Sequence, residues 1–220
     1  MPPAANVLII VAALCSAIFW FRHAGVETKS WSASTTKTLS TLLLAGAGIV
    51  LGAPWWVILG LTFGALGDFL LSLIGTATFL AGMVAFSLGH GAYVLAFAEL
   101  ARMPFPAAFP IYLAAMVALV LIVSIRIAPH AGALRWPVRA YSVIIAIMAL
   151  TVAAIPPAPG VATLQLGAAL FVISDLIIAI QMFVVTGRLR KKRLGQLLWP
   201  LYWGGQALIL WGSVVIATAA

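Results

Sequence analysis

The chain has 220 residues, of which 65% are hydrophobic and 7% charged, and its formal net charge is +8. Soluble domains average about 25% charged residues, so this chain has too few polar groups to cover a globular surface in water, and a soluble fold is excluded. The single cysteine, Cys15, excludes an internal disulfide and a thiolate metal site.

A mean hydropathy of +1.19 marks an integral membrane protein. At about 20 residues per crossing, the length accommodates roughly eight transmembrane helices with short loops and no separate soluble domain. The expected fold class is therefore an all-α membrane protein, a single polytopic domain over residues 1–220. Hydrophobic runs predict spans near 4–21, 37–53, 55–74, 76–99, 107–127, 136–155, 162–186 and 197–219. The first has no basic residue ahead of it, which is unlike a cleaved signal peptide. The second is Gly-rich and begins at Lys37. Pro54 ends it, and Trp55-Trp56 suit an interface at the start of the third. A tight break at Gly75-Thr76 separates the third from the fourth.

The basic residues predict sidedness. Arg22, Lys29 and Lys37 follow the first span, Arg126, Arg135 and Arg139 surround the loop after the fifth, and Arg188, Arg190, Lys191, Lys192 and Arg193 follow the seventh. With eight spans, eleven of the twelve basic residues fall on one side, leaving Arg102 opposite. The basic loops belong in the cytoplasm, so both termini are expected on the non-cytoplasmic side. Topology thus accounts for the net charge, and no nucleic-acid partner is needed, although basic loops also suit anionic lipid.

Chemistry concentrates in a few intramembrane polar residues. Only four residues are acidic, and two of them, Asp68 and Asp175, lie inside the third and seventh spans. A carboxylate in hydrocarbon costs several kcal/mol, which makes such a residue a functional candidate by default. His90 lies in the fourth span with Tyr93 one turn on, and Tyr202 and Gln206 share a face of the eighth. Glycines flank these positions and permit close helix approach. Gly60 to Leu71 also resembles Gly167 to Ile178, with a small residue before each acid and apolar residues after it, as a parallel four-plus-four repeat would produce.

Each of these residues also has a structural reading. A buried Asp can be protonated and hydrogen-bonded to a neighbouring helix, a lone His is commonly a packing residue, Lys37 can snorkel to the interface, and the tryptophans suit an aromatic belt. Two acids with a His and a Tyr–Gln pair on different helices favour a site. Paired carboxylates can divide the work of general acid and general base. No serine sits in a Gly-x-Ser-x-Gly elbow. A metal needs about three ligands, and with one intramembrane His the set Asp68, Asp175 and His90 is a poor one, so neither metal nor other cofactor is expected.

Five blocks in order carry a resemblance: Thr36-Lys37-Thr38, Leu66 to Leu71, Gly89 to Tyr93, Gly167 to Asp175 and Tyr202 to Leu208. The chain resembles the YhhN-like membrane proteins, bacterial relatives of the mammalian transmembrane lysoplasmalogenases. Trp203 departs from the small-residue context usual in the last block. The resemblance implies a metal-independent ether hydrolase that cleaves the vinyl-ether bond of a lysoplasmalogen with water, releasing a fatty aldehyde and a glycerophospho-base. It implies Asp68, Asp175 and His90 as catalytic residues. Lys37, Tyr93, Tyr202 and Gln206 would contact substrate, with Lys37 placed to bind the phosphate.

The expected partners are a lysophospholipid, water and membrane lipids, with the protein a monomer or homodimer in the bacterial cytoplasmic (inner) membrane. The Ala- and Gly-rich, Lys-poor composition points to a high-GC bacterium. Many such bacteria make no plasmalogens, so another lysolipid stays open as substrate. A proton-coupled transporter using Asp68 and Asp175 is the alternative from a different class, with a non-catalytic lipid-binding module behind it.

Overall fold

The computed structural model describes residues 1–26 and 30–219; Glu27, Thr28, Lys29 and Ala220 lie outside it, and Lys29 was one of the basic residues expected to set sidedness. Among the described residues the chain is helical without strands. Eight α-helices follow one another: α1 Pro3–Arg22, α2 Trp31–Val50, α3 Trp55–Ser72, α4 Thr76–Ala98, α5 Phe109–Ile122, α6 Arg135–Ala153, α7 Val161–Phe183 and α8 Arg188–Ala219. A π-helical turn, Val123–Ile127, and a 3-10 segment, Ala128–Leu134, join α5 to α6.

Among the described residues, six helical stretches are long and apolar enough to cross a bilayer, fewer than the eight crossings expected from sequence. Two causes account for the difference. The first half of α2 is Ser/Thr-rich and carries Lys37, which lowers its hydropathy. The other cause is the join between α5 and α6, which makes Phe109–Ala153 one stretch of 45 residues. Gly132 breaks that stretch with φ 55° and ψ −122°, a conformation open to glycine, and α5 packs back against α6.

Two helices begin earlier than their hydrophobic runs. The Ser30 hydroxyl accepts from the Ala33 N–H at 3.2 Å and starts α2 at Trp31. Lys37 consequently lies inside the helix, not at its edge. Arg188 to Arg193, read as a loop, form the first turns of α8, since Lys and Arg are good helix formers. Pro200 lies within α8 and has no N–H to offer the carbonyl of Gln196 one turn earlier. Trp20 of α1 fills that vacancy, its indole N–H donating to the Gln196 carbonyl at 2.8 Å.

Successive helices pack side by side: α1 on α2, α2 on α3, α3 on α4, then α5 on α6, α6 on α7 and α7 on α8. Contacts of α4 with α6 and of α8 with α2 and α3 close the ring. The two halves therefore repeat one packing order, with α1 and α5 outermost, and no residue of α5 is buried. Glycines set the tightest contacts. A Cβ on Gly205 would stand 2.9 Å from the Gly167 carbonyl oxygen, and a Cβ on Gly60 would stand 2.3 Å from the Tyr93 ring. Gly60 and Gly167 are equivalent positions in the sequence echo, so each half brings its acid-bearing helix against the next helix through the same device.

Candidate functional site

Asp68 lies four residues from the end of α3 and Asp175 eight from the end of α7. At 1.5 Å of rise per residue these depths are roughly 6 and 12 Å. Both helices end where α2 and α8 begin, at the face that carries the basic residues. The two carboxylates line one cavity of about 80 Å³ whose walls are otherwise mostly apolar. The sequence left open whether the two acids share a site; the ring closure between the two halves brings them to one.

Each carboxylate has its own set of partners. Asp68 is 1% exposed. Its Oδ2 accepts from the Thr41 hydroxyl at 2.9 Å and the Tyr202 hydroxyl at 2.8 Å. Its Oδ1 faces the Lys37 ammonium at 3.2 Å and accepts no hydrogen bond. Asp175 Oδ2 stands 3.2 Å from His90 Nε2 and accepts from the Tyr141 hydroxyl at 3.3 Å. His90 Nε2 is also 3.3 Å from the Tyr141 oxygen. His90 Nδ1 is buried without a hydrogen-bond partner, and an unpaired acceptor there costs less than an unpaired N–H. The ring nitrogen that meets Asp175 and Tyr141 is therefore Nε2, with Nδ1 left facing apolar neighbours.

Aromatic rings join the two sets. Phe171 packs 4.7 Å from the His90 ring and 5.4 Å from the Tyr202 ring, centroid to centroid. Lys37 is held from the other side by Trp199, whose ring centroid lies 5.9 Å from Nζ. Trp199 is itself 1% exposed, and its indole N–H donates to Ser16 of α1 at 3.0 Å. It belongs to the core and not to an aromatic belt, because the ring of helices closes over it.

The structure places the seven residues singled out from sequence unequally. Lys37, Asp68, Asp175 and Tyr202 line the cavity. His90 sits behind Asp175, buried at 1%. Tyr93 and Gln206 do not line the cavity and reach it through Tyr202. Tyr93 donates to the Gln206 side-chain oxygen, Gln206 Nε2 lies 3.5 Å from the Tyr202 hydroxyl, and Tyr202 donates to Asp68. This directional chain orients the Tyr202 proton toward the carboxylate. Among the described residues, no three His, Cys, Asp or Glu side chains gather as a metal would require.

Two residues went unread in the sequence. Thr41 follows Ser34 and Lys37 at helical spacing, so a polar stripe along α2 was the signal for it. Tyr141 stands close after Arg135, Trp136 and Arg139, which gave it the look of an interfacial residue.

No curated protein and no solved structure matches the chain. The family model described as the YhhN family matches residues 32–213, from the first turn of α2 to near the end of α8. Both carboxylates and every partner that reaches them through α2, α4, α6 and α8 fall inside that match, and the chain belongs to the YhhN family.

Proposed function

We propose that the protein is a lysoplasmalogenase-like hydrolase of the bacterial inner membrane, crossing it eight times with both termini outside. The observation that supports this reading most directly is the pair of carboxylates on one mainly apolar cavity, each with different partners. Vinyl-ether hydrolysis starts with a proton delivered to the β-carbon. An oxocarbenium ion forms, water adds to its carbon and loses a proton, and the resulting hemiacetal breaks into a fatty aldehyde and an alcohol. Two tasks follow: one group supplies the proton, and an anion stabilises the cation and orients water.

Asp68, facing an ammonium and two hydroxyl donors, suits the anion. Asp175, whose Oδ2 accepts from Tyr141 and faces His90 Nε2, suits the donor with its transferable proton on Oδ1, and recovers that proton from the attacking water. No metal enters this scheme. The cavity holds only the reacting part of a chain, so the rest of the tail would extend past Leu119, Val123 and Phe183 on its apolar wall toward the bilayer.

The test offers purified protein a mixed lysolipid extract that includes lysoplasmalogen and follows substrates and products by mass spectrometry. Fatty aldehyde released by the wild type, and lost in both Asp68→Asn and Asp175→Asn, is the expected result. Full turnover by both variants would falsify the scheme. Turnover of a different lysolipid would change the substrate and leave the enzyme class in place. The repeated packing of the two halves favours one rival, a proton-coupled carrier; solute flux in proteoliposomes without lipid turnover would select it.

A further inference from the structure

A second cavity, of about 280 Å³, adjoins the first at the basic end of the bundle. Its walls come from α1, α2, the end of α3, α7 and α8 with the loop after α1, and include His23, Ser30, Ser34, Gln181 and Lys191. No acidic residue among the described residues lines it. The two cavities share Leu71, Ile178, Met182, Leu198 and Lys37, so Lys37 is the polar group in their common wall. Its side chain is 16% exposed while that of Asp68 is 1% exposed. The lysine therefore stands between a vestibule more polar than the first cavity and a buried carboxylate, with one Asp68 oxygen facing it and accepting no hydrogen bond.

We propose that the vestibule binds a phosphate-bearing anion with Lys37 as the shared ligand, and that its binding draws the ammonium from Asp68. An anion in the vestibule competes directly with Asp68 for the same cation. Once Lys37 turns to it, Asp68 Oδ1 opens onto the reactive cavity, and the Thr41 and Tyr202 hydroxyls remain to hold the negative charge that stabilises an oxocarbenium ion. The role for Asp68 rests on the hydrolase reading; the anion site and its competition with Asp68 do not. Under that reading, substrates lacking the phosphate lose kcat as well as affinity, because the phosphate also unmasks the carboxylate.

Binding is measured without turnover, by the thermal melting of the full-length protein in detergent. The probes are inorganic phosphate, a saturated ester lysophosphatidylethanolamine, and a monoacylglycerol of the same chain as the phosphate-free control. A saturable rise in Tm with either phosphate-bearing probe, and no Lys37-dependent rise with the monoacylglycerol, is expected. A response to inorganic phosphate identifies a site for free phosphate, and a response confined to the lysophospholipid identifies a lipid headgroup site. Asp68→Asn frees Lys37, so the phosphate midpoint should fall on the order of tenfold.

Lys37→Arg should retain the response. Lys37→Met should lose it, and the doubly neutral Lys37→Met/Asp68→Asn pair gives the same reading in a protein with no unpaired buried charge. An unchanged midpoint in Asp68→Asn, or a double variant that binds as tightly as Asp68→Asn, overturns the proposal. Phosphate binding that follows this pattern in a protein without lipid hydrolysis would sink the catalytic reading and leave the anion site standing.

Discussion

Thr41 of α2 and Tyr202 of α8 donate to the same oxygen of Asp68, and neither neighbours Asp68 in sequence. Losing one donor to a buried charged group costs about 1–3 kcal/mol. Thr41→Val, nearly the same size, is expected to lower the unfolding free energy by about that amount and to reduce lipid turnover with it. Chemical denaturation in mixed micelles checks the first and the mass-spectrometric assay the second. Tyr141→Phe removes the hydroxyl that touches both Asp175 and His90 and leaves the ring packing in place. Its expected effect falls on kcat by tenfold or more, about 1.4 kcal/mol or above, with melting nearly unchanged. An equal loss in melting would make Tyr141 a structural residue. These partners were hard to read because a hydroxyl on an apolar helix is ordinary until the opposing helix is known.

At the scale of helices, the backbone polar groups have to be satisfied inside the protein, since lipid offers no partners. Pro200 leaves the Gln196 carbonyl to Trp20, which ties α1 to α8 by a bond that the sequence of α8 alone cannot show. Trp20→Phe should destabilise the α1–α8 contact by about 1 kcal/mol, read as a lower melting temperature and faster proteolysis near residue 25. The contact between α7 and α8 rests on glycines instead. Gly205→Val places a Cβ 2.9 Å from the Gly167 carbonyl oxygen and 3.0 Å from the Phe171 nitrogen, and backbone cannot give way as a flexible side chain can. A loss of more than about 3 kcal/mol, or failure to fold, is expected. Gly204→Ala, with open space beside it, is the control and should melt like the wild type. Glycine spacing was visible in the sequence, but which helix each glycine meets was not.

For the whole molecule, the proposed orientation predicts an asymmetric labelling pattern. In a Cys15→Ser background, a cysteine at Arg102 should react in intact cells with a membrane-impermeant maleimide, and one at Lys192 should react after the membrane is opened. The reverse pattern would invert the topology. The helical membrane class, the positions of most helices and the two intramembrane acids were all legible in the chain. Hydropathy and the cost of charge in lipid act on short segments and leave their mark in local sequence. The starts of α2 and α8 were blurred, because a Ser cap and a run of Lys and Arg extend a helix without raising its hydropathy. Only the tertiary structure decided that Asp68 and Asp175 line one cavity and that Lys37 stands between that cavity and a vestibule. It also moved Tyr93 and Gln206 behind Tyr202. Those relations depend on which helices meet and at what rotation, and this is set by the glycine contacts and the ring closure between residues far apart in the chain.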